Sequence, residues 1–240
     1  MNESRCYDYR IRAQDVDFTS QATLTAMGDY ILHTAGEDAD IHGWGVNDLQ
    51  LQHALWVLSR FAVEIKRRPQ WHEVIRIETW VNEVGRMMTT RNFRIWDTAG
   101  ELIGASVSQW AMLDFSTRTP LDLREALTAG SYVLEEPSPI ARPGKIVRVA
   151  PTRSVEHRVV YSDIDFNHHV NSMKYLQWMV DMLPEAWHTE RHCSRYTLNF
   201  LHEARYGDLL QLSFEEAPVS LFEVGNAEGM AVCRASLEWQ

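Results

Sequence analysis

The stretch Asp163-Ile164-Asp165-Phe166-Asn167-His168-His169-Val170-Asn171 organises the reading of this 240-residue sequence. Its first four residues repeat an earlier quartet, Asp15-Val16-Asp17-Phe18, found 148 positions upstream. A helical pattern follows each copy. Leu24, Met27 and Ile31 fall three and four apart, with Gly36 as the expected stop. Met173, Leu176, Val180 and Leu183 keep that spacing, and Pro184 ends the second run. Both helices read as apolar over more than one face, so other structure should wrap around them.

A second echo follows each helix. Ser59-Arg60-Phe61-Ala62-Val63-Glu64-Ile65 resembles Ser194-Arg195-Tyr196-Thr197-Leu198-Asn199-Phe200 at an offset of 135. The fall from 148 to 135 places thirteen extra residues in the first half, expected as a loop or lid around Ile41-His42-Gly43-Trp44-Gly45. Period-two alternation then marks strands. Ile75, Ile77, Thr79 and Val81 alternate with Arg76, Glu78 and Trp80, and Leu210, Leu212 and Phe214 repeat the pattern. Further strands are expected at 91–96, 103–113, 222–226 and 231–239. The turns fall at Asp97-Thr98-Ala99-Gly100 and Asn226-Ala227-Glu228-Gly229. The expectation is a duplicated α+β protein, each half a long central helix wrapped by a curved antiparallel sheet.

Between the halves lies Glu135-Glu136-Pro137-Ser138-Pro139, followed by Ala141-Arg142-Pro143-Gly144. Proline and glycine at this density disfavour regular structure. The expected organisation is therefore a first domain over 1–134, a linker over 135–151 and a second domain over 152–240. Arg142, Lys145, Arg148 and Arg153 follow without an intervening acid, which reads either as a docking site for an acidic partner or as a solvated strap.

Composition narrows the classes. Hydrophobic residues at 45% and charged residues at 23% are globular proportions. A net charge of −10 argues against nucleic acid and anionic membrane as partners. No apolar run approaches the ~18 residues of a membrane span, and Met1-Asn2-Glu3-Ser4-Arg5 has no signal-peptide core. Cys6, Cys193 and Cys233 are an odd number without metal-ligand spacing, which favours a reducing cytoplasm over a disulfide framework. The nine tryptophans and nine methionines read chiefly as core.

The two copies diverge after the shared quartet. The second continues Asn167-His168-His169-Val170-Asn171, whereas the first continues Thr19-Ser20-Gln21-Ala22-Thr23. A purely structural role predicts similar residues in both halves, so the asymmetry points to one working site. A helix N-terminus offers backbone N–H groups to a carbonyl oxygen gaining charge. Asn167 adds a side-chain donor or holds a water, His169 exchanges a proton near neutral pH, and Asp165 orients its neighbours. The structural alternative makes Asp165 and Asn171 caps and the histidines polar loop residues. Extending the second echo pairs Glu203 with Arg68, which makes Glu203 either a water-activating acid or a solvated strand end.

Other constellations fail. Gly104-Ala105-Ser106-Val107-Ser108 lacks the closing glycine of a nucleophile elbow. His188 and His192 lack a third zinc ligand, and there is no glycine-rich phosphate loop. No metal and no cofactor are expected.

The segment from Asp163 to Tyr175, with Asp165, Asn167, His169, Asn171 and Tyr175 in place, resembles the catalytic motif of acyl-acyl-carrier-protein thioesterases of the plant and bacterial type. Leu55 to Arg60 and Pro69 to Trp80 are also similar to that family, and the likeness runs from about Tyr9 to the end. The resemblance implies a tandem double hot-dog fold, with the first half binding the acyl chain and the second catalytic. It implies hydrolysis of fatty acyl-acyl carrier protein to free fatty acid, which ends chain elongation. Asp165, Asn167, His169 and Glu203 then carry over as catalytic residues. Plant members have a cysteine directly after the glutamate, whereas this chain has Ala204. Attack by water is therefore expected, rather than a cysteine acyl-enzyme. The rival readings are a hot-dog acyl-CoA thioesterase, a hot-dog dehydratase and a non-catalytic acyl-binding module. A tandem duplicate already holds two units, so a monomer or homodimer is expected.

Overall fold

The computed structural model describes residues 5–126 and 133–240. The chain divides into two compact units, Met1–Pro143 and Gly144–Gln240. In the first unit the order is β1 (Arg5–Arg10), α1 (Leu24–Ile41), α2 (Val46–Leu51), β2 (Ala54–Ile65), β3 (Val74–Val84), β4 (Thr89–Asp97), β5 (Leu102–Asp114) and α3 (Leu123–Ala126). The second unit runs β6 (Arg153–Arg158), α4 (Ser172–Asp181), α5 (Glu185–Glu190), β7 (Cys193–Phe200), β8 (Leu209–Glu215), β9 (Val219–Gly225) and β10 (Ala231–Trp239).

Strand order in the first unit is β1-β3-β4-β5-β2, and in the second β6-β8-β9-β10-β7. The pairings within each are antiparallel. Element for element the two orders are the same, so each unit is the expected α+β hot-dog arrangement. Register shifts at Leu58/Arg60, Val81/Glu83 and Ile95/Trp96, and at Ala231/Cys233 and Glu238/Trp239, are the bulges that bend such strands. The two predicted turns are also duplicates. Gly100 donates to Asp97 O and Gly229 to Asn226 O, with φ of +82° and +76°. Asp97 Oδ1 and Asn226 Oδ1 each collect two further backbone N–H groups. Left-handed φ at a turn is where glycine costs least.

Apolar faces close each core. Met27, Ile31 and Ala35 of α1 are buried along with Ile77, Phe93 and Ile95 of the sheet. Met173, Leu176 and Met179 of α4 are buried along with Leu198, Leu212, Phe222 and Val224. Each of these side chains other than Ala35 contributes roughly 1.5–3 kcal/mol. One charged pair is enclosed in the first unit, Arg91 to Asp38 at 2.5 Å, as buried charge requires a partner.

Three expectations are corrected. Gly36 does not stop α1, which continues to Ile41 before the left-handed Gly43. A turn does occupy His42 to Gly45, but the thirteen extra residues lie mostly in longer elements rather than in that loop. Helix α1 has 18 residues against 10 in α4, and β2 has 12 against 8 in β7, while short helices α2 and α5 follow in both units. Nor is α1 apolar all round, because Asp29, His33, Gly36, Glu37 and Asp40 form an exposed stripe at helical spacing.

The proline-rich stretch lies along polar side chains rather than free in solvent. Glu136 O accepts from Trp80 Nε1 at 3.3 Å and Asn82 Nδ2 at 3.0 Å, and Arg94 and Arg142 pair with Glu136 and Glu83. In the second unit Ile146 N–H donates to Asn199 Oδ1 at 2.8 Å, and Asn199 Nδ2 donates to Gly144 O at 3.0 Å. Arg153 donates to Met182 O, and all four cations of the basic run, Arg142, Lys145, Arg148 and Arg153, are exposed.

Candidate active site

Helix α4 is preceded by a tight loop whose shape is written in Asp165. Its Oδ1 accepts the N–H groups of Asn167 at 2.8 Å and His169 at 3.3 Å. Its own N–H donates to His169 O at 2.8 Å, and its carbonyl accepts from His168 N–H at 3.1 Å. His168 sits at φ +63°, a region that Asn, Asp and His enter more readily than most residues. The loop is tied to the segment after β7 by Val170 N–H donating to Ala204 O at 2.9 Å. Asn171 Oδ1 accepts from Met173 N–H at 2.8 Å and caps the helix.

That tie brings two predicted residues together. His169 Nε2 lies 3.1 Å from Glu203 Oε2, with the side chains 23% and 35% exposed. Asp165 reaches the pair through the loop backbone rather than through the imidazole. Asn167 is exposed on the same loop, and its side chain makes no hydrogen bond among the described residues. The expectation that backbone N–H groups of 167–170 face a substrate oxygen is not met. Asn167 and His169 donate to the Asp165 carboxylate, His168 to Asp165 O and Val170 to Ala204 O, so all four have protein acceptors, three of them within the loop.

Arg205 is the residue that the sequence reading missed. Its Nη2 lies 3.5 Å from His169 Nε2 and 3.8 Å from Glu203 Oε2. Its backbone N–H donates to Asp208 Oδ2 at 2.8 Å, which fixes the turn that carries it. The available signal was a cation two residues beyond the strand-end acid, where the first half has Gln70.

Tyr175 is a core residue. It is 3% exposed, edge-on to Trp178 and Phe200 with ring centroids 5.4 and 6.1 Å away. Burial, together with the nearby Cys233 thiol, drives its hydroxyl pKa well above the ordinary value, partly opposed by the Ala204 backbone. Ala204 itself is 1% exposed, so the side chain that meets His169 at this strand end is that of Glu203. Ser106 is wholly buried within β5, away from any exposed elbow.

The first unit repeats the loop backbone with other side chains. Asp17 N–H donates to Gln21 O at 3.0 Å, Ser20 N–H to Asp17 O at 2.9 Å, and Ala22 N–H to Pro69 O at 2.8 Å. Ser20 sits at φ +61°, matching His168. Gln21 stands where His169 would be and Arg68 where Glu203 would be. Arg68 Nη1 donates to Asp17 Oδ2 at 2.5 Å, and the Thr19 hydroxyl to Asp17 Oδ1 at 2.6 Å. Burial alone would raise the Asp17 carboxyl, but the Thr19 and Arg68 hydrogen bonds hold it below its ordinary value. One loop therefore encloses a charge pair, and its twin leaves an acid and an imidazole facing solvent.

Comparison with known proteins matches each half of the chain to a domain of one family. The acyl-ACP thioesterase N-terminal domain model matches residues 4–130, and the C-terminal domain model matches residues 148–240. The crystal structure of an acyl-ACP thioesterase from Bacteroides thetaiotaomicron superposes with a TM-score of 0.90 at 30% identity, covering 99% of this chain and 98% of that one. A 12:0-ACP thioesterase from Umbellularia californica shares the fold, with a TM-score of 0.83 at 20% identity, covering 99% of this chain and 97% of that one. An oleoyl-acyl carrier protein thioesterase from Arabidopsis thaliana is 26% identical over 87% of this chain, which spans 62% of that protein's length. With both halves matched in order and a structure superposing end to end, the chain belongs to the acyl-ACP thioesterase family.

Proposed function

We propose that this chain hydrolyses the thioester linking a fatty acyl group to acyl carrier protein, releasing free fatty acid and ending fatty acid synthesis. The observation that carries the reading is the 3.1 Å contact between His169 and Glu203, present in the second unit and replaced by Arg68 and Asp17 in the first. Family membership supports the substrate class.

The roles follow from hydrogen-bond chemistry. A carboxylate is acceptor-only, so Glu203 is satisfied when His169 carries its proton on Nε2. Nδ1 then holds the basic lone pair. Water attacks the carbonyl carbon while His169 Nδ1 takes its proton, and the π electron pair moves onto the carbonyl oxygen. Collapse of the tetrahedral intermediate breaks the C–S bond. The departing pantetheine thiolate takes the proton from His169, which leaves free fatty acid and carrier thiol. Asp165 shapes the loop, and Asn167 presents its amide toward the substrate. In this account residues 152–240 are catalytic, residues 1–134 receive the acyl chain, and residues 135–151 link them. That Cys6, Cys193 and Cys233 are not joined in disulfides supports a reducing compartment, the cytoplasm. Among the described residues no helix is long and apolar enough to cross a membrane. The chain is read as a monomer or homodimer.

The test is to incubate purified protein with acyl-carrier substrates of eight to eighteen carbons and with the matching CoA esters, then weigh the released acids. Release from carrier substrate well above release from CoA is the expected result. Preference for CoA would reassign the substrate, and tight retention without release would make this an acyl-binding module.

A further inference from the structure

We infer that Arg205 is a further catalytic residue of this site, its guanidinium donating to the thioester carbonyl oxygen as that oxygen gains negative charge. The inference rests on the thioesterase reading above.

The reaction puts charge on the carbonyl oxygen, and stabilising that charge needs donors aimed at it. The backbone N–H groups of residues 167–170 already have protein acceptors, which turns attention to side-chain donors beside the dyad. Arg205 is the cation beside the dyad, 3.5 Å from His169 Nε2 and 3.8 Å from Glu203 Oε2.

Its hydrogen-bonding capacity is not consumed there. His169 Nε2 has one in-plane direction, which serves either a proton donated to Glu203 or a lone pair accepting from Arg205, never both. In the tautomer that the hydrolysis reading uses, Nε2 carries its proton toward Glu203 Oε2, 3.1 Å away, and so does not accept from Arg205 Nη2 at 3.5 Å. The guanidinium is thereby held against the dyad by charge alone, with five N–H groups to offer. The carboxylate of Asp208 receives the backbone amide of Arg205. The Arg205 side chain is 68% exposed, so its donors are open to a molecule arriving from solvent.

The main chain beneath it is fixed. Asp208 N–H donates to Arg205 O at 3.1 Å, Gly207 turns at φ +88°, and Arg158 Nη1 donates to Gly207 O at 3.1 Å. A guanidinium stays protonated at any working pH, so its role is electrostatic and donates no proton outright. It stabilises the oxygen while His169 moves the proton.

Arg205→Ala, Arg205→Gln and Arg205→Lys, compared with wild type on acyl-carrier substrate, test this. Removing one such donor typically lowers kcat about 10²–10³-fold. That loss is expected for Arg205→Ala and Arg205→Gln, with KM within about threefold and melting temperature unchanged. Arg205→Lys should recover part of the rate, and millimolar guanidinium should restore part of the Arg205→Ala rate, a response that a merely structural residue would not give. An active wild type with Arg205→Ala at near wild-type kcat overturns the inference and leaves the thioesterase reading intact. A wild-type chain that releases no acid from acyl-carrier substrate overturns that reading and this inference with it.

Discussion

Arg68 and Glu203 hold equivalent strand-end positions in the two units and carry opposite charge. Each lies one residue before a carbonyl, Pro69 O or Ala204 O, that accepts from the loop ahead of the unit's helix. Arg68 turns back onto Asp17 and closes its loop, whereas Glu203 meets an imidazole. Arg68→Met should leave Asp17 without its cation and cost about 1–3 kcal/mol of stability. Denaturant unfolding measures that loss, and kcat on acyl-carrier substrate should stay within about twofold of wild type. A collapse of kcat in a folded Arg68→Met protein would mean that the first loop takes part in chemistry.

Acid should weaken the first unit in a definite direction. Burial raises the carboxyls of Asp15, Asp17 and Glu73, yet hydrogen bonds from Arg12 and Tyr30, from Thr19 and Arg68, and from Arg67 bring each below its ordinary value of 3.8, 3.8 and 4.5. Such groups bind protons more readily when unfolded. Their stabilisation is therefore complete above those ordinary values and is lost as pH falls through the lower folded ones. Melting temperature should drop steeply below about pH 4.5, and Asp17→Asn should flatten the slope. An unchanged melting temperature between pH 6 and pH 3 would refute the claim.

No thiol should be needed for turnover. Cys193 and Cys233 are buried, burial raises the Cys233 thiol far above its ordinary value, and Cys6 is exposed in the other unit. Iodoacetamide should label Cys6 while activity persists. Ala204→Cys should bring no alkylation-sensitive route, because position 204 is 1% exposed. Inactivation of the wild type in step with alkylation would contradict direct attack by water.

Much of this architecture was legible in the sequence because the duplicated quartet and the period-two strands are local signals. Strands β1 and β6 escaped because Arg5-Cys6-Tyr7-Asp8-Tyr9-Arg10 and Arg153-Ser154-Val155-Glu156-His157-Arg158 are short edge strands that carry charge. The extension of α1 that holds eight of the extra residues was hidden by Gly36, which a helix tolerates when tertiary packing holds the rest. The His169–Glu203 contact was foreshadowed by aligning the halves, because equivalent backbones bring equivalent positions together. The consumption of the loop amides by Asp165, and the approach of Arg205, depend on φ/ψ and rotamer choices that residue spacing does not encode.

The central claim is that the Glu203 carboxylate and the His169 imidazole, side by side ahead of α4, carry out the hydrolysis. Single-turnover release of fatty acid from acyl carrier protein by Glu203→Gln, set beside His169→Ala and wild type, addresses it most directly. The account predicts that each substitution slows release by about 10²–10⁴-fold in a protein of unchanged melting temperature. Release at the wild-type rate by Glu203→Gln would contradict it.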